Sequence, residues 1–178
     1  MSFKANLVYG QAAESEIAQW LRSRNYSVLP VYEKIINTGK GPQLFTPGKS
    51  LIAPDLFTFN GEKTLWVEAK HKTAFSWHRI TSCWVTGIDL RHYHDYCQVD
   101  AETPWPVWLL FLHEGGQAKD SPEDSPSGLF GNSLATLQKC ENHRHANWGP
   151  SGMVYWAVER LHLLASLDVI RKLDEGRL

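Results

Sequence analysis

The chain has 178 residues, a length suited to one domain, and carries 18 Lys and Arg against 19 Asp and Glu, a formal net charge of −1. That balance excludes a basic coat that holds nucleic acid by bulk attraction, and a content of 43% hydrophobic residues with 8 Trp excludes a charged, disordered chain. The longest apolar run, residues 107–112, is too short to cross a bilayer, and three widely spaced cysteines (Cys83, Cys97, Cys140) suit a reducing cytoplasm rather than a disulfide framework. Residues 10–24 read as an amphipathic helix, with Ala13, Ile17, Trp20 and Leu21 on one stripe and Asn25 placed for a left-handed cap. A short strand over 26–31 follows, then a loop over 37–50 rich in Gly, Pro, Lys and Thr. Residues 51–59 and 62–70 flank Asn60-Gly61, a strong short-range hairpin signal. A second helix is predicted over 87–101, with Thr86 and Asp89 in capping-box positions and a stripe of Leu90, Tyr93, Tyr96 and Cys97. Residues 106–113 read as a buried strand of parallel type, 114–133 as a mobile loop, 153–158 as an edge strand and 159–173 as a closing helix. No leader-like apolar stretch and no internal repeat is visible, so residues 1–178 read as a single mixed α/β domain.

The chemistry concentrates on the hairpin. A two-residue Asn60-Gly61 turn would set Phe59 opposite Glu62 and Asp55 opposite Trp66. Side chains on one strand face recur every second residue, so Trp66, Glu68 and Lys70 would share the face of Asp55, with Glu68 as its diagonal neighbour at about 7–8 Å. Two carboxylates at that spacing converge on a hard divalent cation such as Mg²⁺ or Mn²⁺, and an adjacent lysine can orient water or offset charge on a phosphate. The competing reading is a solvated hairpin face. Against it, Leu65, Val67 and Ala69 make the strand apolar, and two neighbouring acids repel unless a cation lies between them.

Pro54-Asp55, twelve residues, then Glu68-Ala69-Lys70 resembles the PD-(D/E)xK motif of the restriction-endonuclease-like nucleases. Upstream, Gly10-Gln11-Ala12-Ala13-Glu14 resembles the segment of that family whose helix-borne glutamate completes the metal site. Glu14 lies about 60° from the centre of the apolar stripe at roughly 100° per residue, at the margin of the core, whereas Glu16 lies farther out. The resemblance covers residues 8–113 and implies a restriction-endonuclease-like core, a mixed central sheet flanked by helices. It implies a Mg²⁺- or Mn²⁺-dependent deoxyribonuclease in which Asp55, Glu68, the Ala69 carbonyl and Glu14 bind metal and Asp55, Glu68 and Lys70 form the catalytic set. Near-neutral charge favours recognition of DNA in a cleft or by a homodimer. The rival from another class is a non-catalytic nucleic-acid-binding or scaffold protein that keeps the fold.

Other segments carry weaker signals. Pro47-Gly48-Lys49-Ser50 imitates the end of a phosphate-binding loop, but position 43 is Gln rather than Gly and a strand rather than a helix follows. Lys34, Lys40 and Lys49 remain candidate contacts to a nucleic-acid backbone. His71, Lys72, Trp77, His78 and Arg79 interleave basic and aromatic groups directly after the acidic strand, and Lys72, Trp77 and Arg79 are read as contacts to DNA. Cys140, His143 and His145 have ligand types suited to zinc in an interaction module, against a plain polar loop. His92 and His94 sit two apart on a helix and diverge, and Tyr93 and Tyr96 of that helix read as core or site-edge residues.

Overall fold

The computed structural model describes residues 14–31, 42–149 and 151–175. Helix α1 is described over residues 14–23, where Ile17, Trp20 and Leu21 bury the predicted stripe; residues 10–13 of that expectation, like Lys34 and Lys40, lie outside the described residues. A six-stranded sheet follows the order β1 (Ser27–Pro30), β4 (Leu56–Phe59), β5 (Thr64–Lys72), β8 (Val107–His113), β11 (Gly128–Ser133), β14 (His162–Ala165). Every neighbouring pair is antiparallel except β5 and β8, which run parallel as expected for residues 106–113. A parallel pair needs a long crossover. Here the crossover contains β6 (Ser76–His78), β7 (Cys83–Asp89) and helix α2 (Leu90–Glu102).

The two faces of the sheet are covered by different elements. On one face, Ile17, Trp20 and Leu21 of α1 and Ile170 of α4 (Leu167–Asp174) pack on Leu56, Val67, Leu110, Leu112 and Leu129. On the other, Tyr93, Tyr96 and Val99 of α2 and Leu134 and Leu137 of α3 (Leu134–Leu137) pack on Trp66, Leu109, Phe111 and Phe130. A second sheet, β12 (His143–His145), β13 (Met153–Ala157), β7, β6, closes this layer with Trp84, Ile88, Val154 and Trp156. Burial from both sides explains why β8 reads as a near-continuous apolar run and why β5 is apolar through residues 65–67.

Several expectations are corrected. Residues 51–59 are not one strand: β3 (Ser50–Ile52) pairs with β2 (Gln43–Phe45), so part of the expected 37–50 loop is a hairpin, and the chain bends at Asp55 before β4. The β4–β5 connection spans four residues, closed by the Asn60 N–H donating to the Lys63 carbonyl at 2.8 Å. The Asn60 Oδ1 accepts from the N–H groups of Glu62 and Lys63, a side-chain turn that outcompetes the two-residue form. Helix α2 starts at Leu90 because Thr86 lies buried within β7, and the Asp89 carboxylate caps it by accepting from Arg91 N–H at 2.9 Å. Residues 114–133 are not a mobile loop: β9 (Gly116–Gln117) pairs with β10 (Asp124–Ser125), and β11 is an interior strand. Gly131 there serves close packing, since a Cβ would stand 2.8 Å from the Leu109 carbonyl oxygen. Strand β13 is interior to the second sheet rather than an edge, and 159–173 holds part of a 3₁₀ turn (Val158–Arg160) and β14 before α4 begins.

Candidate active site

The observed register pairs Leu56 with Val67 and Phe57 with Trp66. Carried one residue past Leu56, it sets Asp55 opposite Glu68, not diagonal to it. The sequence-based register is therefore wrong by two residues, yet its face assignment stands, because only a slip by an odd number moves side chains to the other face. Asp55 sits at the bend before β4, and its Oδ2 accepts from the Ala69 N–H at 3.1 Å, which locks the bend onto β5.

Glu68 is fully buried. Its compensation is charge: the Lys70 ammonium forms an ion pair with it and lies 4.0 Å from Asp55 Oδ2. Burial, then the Glu68 charge, pushes the Asp55 carboxyl up to about 7, with Lys70 opposing. Glu14 is likewise pushed up to about 7, first by burial and then by the charge of Asp55, so α1 brings it into Coulombic range of the pair. For Lys70, burial favours the neutral amine, but the charges of Glu68 and Asp55 outweigh it and hold the ammonium above its ordinary range. The result is a cationic side chain clamped between buried acids.

Helix α2 supplies a wall of the site. Tyr96 is buried, and its hydroxyl is held well above its ordinary pKa by burial and then by the charges of Glu68 and Asp55. His92, one turn earlier, is depressed by burial and then by the Lys70 charge. The i, i+4 spacing of two polar aromatics on the face of an otherwise apolar stripe was the available signal. Asp95, on the same helix, accepts from Ile52 N–H at 3.1 Å and so ties β3 to α2.

Four residues were expected to contact nucleic acid. Lys72 continues the row of Trp66, Glu68 and Lys70 on one face of β5, and burial together with the Lys70 charge lowers its amine to about 8. Trp77 packs edge-on against Trp84 at 5.2 Å in the second sheet. Arg79 is exposed and ion-paired with Asp120. Lys49 pairs with Glu102 at 2.9 Å, joining the β2–β3 hairpin to the C-terminal end of α2. Cys140, His143 and His145 are not drawn together. The Cys140 thiol donates to the Thr136 carbonyl, His143 stacks between His78 and Tyr155 at 3.9 and 4.5 Å, and His145 lies edge-on to Trp148. Among the described residues no group of three or more His, Cys, Asp or Glu side chains is gathered for a metal ion. The carboxylates of Asp55 and Glu68 form a pair, with Glu14 standing farther off.

The pair nevertheless fits a hard cation. A fully buried carboxylate whose partner is the Lys70 ammonium, beside a second acid whose proton affinity is raised, is a donor set that positive charge stabilises. A groove of about 660 Å³ lies on the opposite face of the sheet, lined by apolar groups such as Trp20, Val67, Trp108 and Leu110. Among its lining residues is neither acid of the pair.

No protein-family profile matches the chain, and no curated protein matches it in sequence. Its fold is similar to that of a Holliday junction resolvase from the archaeal hyperthermophile Archaeoglobus fulgidus, with a TM-score of 0.51 at 9% identity over 85% of this chain and 90% of that one. The class defined by fold and site is thus a mixed α/β domain, similar in fold to that archaeal protein, with an acid pair beside a lysine. No helix among the described residues is long and apolar enough to cross a membrane.

Proposed function

We propose that the chain is a restriction-endonuclease-like nuclease that hydrolyses phosphodiester bonds in DNA with the aid of Mg²⁺ or Mn²⁺. The observation that carries this reading is the directly opposed Asp55–Glu68 pair with Lys70 clamped beside it. Asp55, Glu68, the Ala69 carbonyl and Glu14 would hold the cation. When bound, such an ion supplies Lewis-acid charge at the phosphate and makes water a better nucleophile near neutral pH.

The chain's own groups do the rest. The Ala69 N–H fixes the Asp55 carboxylate in one orientation. Glu68 is fully buried within electrostatic reach of the buried Tyr96, and exclusion of water strengthens its attraction for positive charge. The Lys70 ammonium stays charged and places a positive group where the phosphate gathers negative charge in the transition state. Lys72, next on the same face, offers a second positive contact to the backbone.

The test is Mn²⁺ calorimetry alongside cleavage of duplex, single-stranded and four-way-junction DNA by wild type and Glu68→Gln. Loss of both Mn²⁺ binding and cleavage in the variant supports the reading. A wild-type protein that binds DNA but cuts none of the forms, with or without Mn²⁺, favours the rival, a binding domain that keeps the fold.

A further inference from the structure

The face that carries the acid pair is ordered along the strands. On β5, Lys72, Lys70, Glu68 and Trp66 succeed one another at every second residue. On β4, Phe57 stands opposite Trp66, and on the edge strand β1 Leu29 stands opposite Phe57. One end of the row is basic and the other is aromatic, with the acids between them. Beyond the aromatic end, Trp105 folds back from the α2–β8 connection, and three rings meet. Phe57 and Trp66 are 4.7 Å apart, Phe57 and Trp105 5.0 Å, and Trp66 and Trp105 6.5 Å, all tilted or edge-on.

Burial divides the three. Trp66 is 8% exposed and its indole N–H donates to Thr103 Oγ1 at 3.2 Å, so it is the floor. Trp105 is 38% exposed and Leu29 58% exposed, with Phe57 between them. Edge-on packing beneath leaves ring surface directed outward. Trp105 stands at the end of the sheet and also lines the groove on its opposite face, whereas Phe57 and Leu29 do not. Together the three form a half-open apolar shelf two residues along the strand from the proposed phosphate site.

We propose that Phe57, Trp105 and Leu29 form a stacking subsite for a nucleobase that flanks the phosphate handled by Asp55, Glu68 and Lys70. This rests on the nuclease reading and adds to it the part of the substrate recognised. A two-residue step along a strand covers about 6.7 Å, a span that a single nucleotide bridges. The phosphate would meet the basic half of the row and the base the aromatic half. Every base has a π face, so the subsite selects for an unstacked base rather than for a sequence. Charge at this end is compatible: Glu102, the acid two residues before Pro104-Trp105, is paired with Lys49. The occupant is therefore an unpaired or splayed nucleotide, such as occurs in single strands and at branch points.

The experiment compares binding of two labelled probes by fluorescence anisotropy in EDTA, where cleavage is off. One is a short oligothymidylate and the other is its abasic counterpart with the same phosphates. The proteins are wild type, Trp105→Leu and Phe57→Leu, which keep apolar volume but remove a ring; circular dichroism melts check their folding. Phe57 does not line the groove on the opposite face, so it isolates the shelf. Wild type is expected to prefer the base-containing strand, and each variant to lose on the order of 10- to 100-fold in affinity for it while the abasic strand is bound as before. Trp105→Phe should restore most of the loss. Equal losses on both probes, or none, overturn the proposal. So does a result in which the variants keep base preference but split a dimer, since the patch would then be a contact between copies. Cleavage is scored separately with Mn²⁺: base preference through the shelf in a chain that never cuts would sink the nuclease reading and leave the subsite standing.

Discussion

Asp55→Asn should make the cation-free protein more stable, and the gain should depend on pH in a specified way. The Asp55 carboxyl is raised from an ordinary 3.8 to about 7 by burial and by Glu68. A raised acid binds its proton more tightly in the folded state, so folding stability is full below about pH 4 and is lost as pH rises toward 7. Three units at about 1.4 kcal/mol each give a loss on the order of 4 kcal/mol above pH 7. Its side chain is only 14% exposed, so solvent screening removes little of this. Asparagine resembles the protonated acid and keeps an oxygen to accept the Ala69 N–H. Urea denaturation in EDTA should therefore show wild type and variant alike near pH 4 and diverging through pH 5–7, with the variant ahead by about 2–4 kcal/mol near pH 8. Adding Mg²⁺ should then stabilise wild type, by about 2.7 kcal/mol at a hundred times its Kd, and leave the variant unmoved. A variant less stable than wild type near pH 8, or a difference that ignores pH, would refute the buried-charge argument.

Lys70→Ala should keep Mn²⁺ binding but slow single-turnover cleavage by about 10²–10³, because the ammonium acts on developing charge and is not a ligand; unchanged cleavage would make Lys70 a bystander. His113 is fully buried and stacked on Phe75 at 3.6 Å, with its imidazole driven down to about 3 by burial and then by the charge of Lys72. A lowered histidine contributes stability that is present above about pH 6.5 and lost as pH falls. Relative to His113→Leu, wild type should therefore lose about 2 kcal/mol between pH 7 and pH 5 in denaturant titrations, and parallel titrations of the two would contradict this. Gly131→Ala should cost about 1–3 kcal/mol by forcing a methyl against the Leu109 carbonyl, a loss visible as a lower urea midpoint; a neutral outcome would mean that β11 and β8 can separate freely.

The acid–acid–lysine set was legible because its signal is parity. Asp55, Glu68 and Lys70 stay on one face under any even register shift, so misjudging the length of the Asn60 turn changed their distances but not their side of the sheet. Parity says nothing of what packs on that face, so His92 was missed and Tyr96 was read only as a core or site-edge residue. Their placement depends on the crossover that lays α2 over β5. Composition misled at residues 114–133, where glycine marks close backbone approach rather than freedom: Gly128 adopts φ +131° and Gly131 abuts β8. Trp77 was read as a contact to DNA, and only the second sheet, which packs it edge-on against Trp84, shows its apolar partner. Helix α2 was placed three residues too early because the Thr86/Asp89 spacing fits a capping box, whereas pairing of Thr86 with Trp156 extends β7 to Asp89.

The central claim is that the buried Asp55–Glu68 pair is a cation-dependent phosphodiester-cleaving site. The direct measurement is cleavage of a panel of duplex, single-stranded and branched DNA by purified wild type and Asp55→Ala, each in Mg²⁺, Mn²⁺ and EDTA. Wild type is expected to cut at least one form with either metal and none in EDTA, and Asp55→Ala to cut none while its circular dichroism spectrum is unchanged. Cutting that survives EDTA, or a folded Asp55→Ala that cuts at the wild-type rate, would contradict the claim.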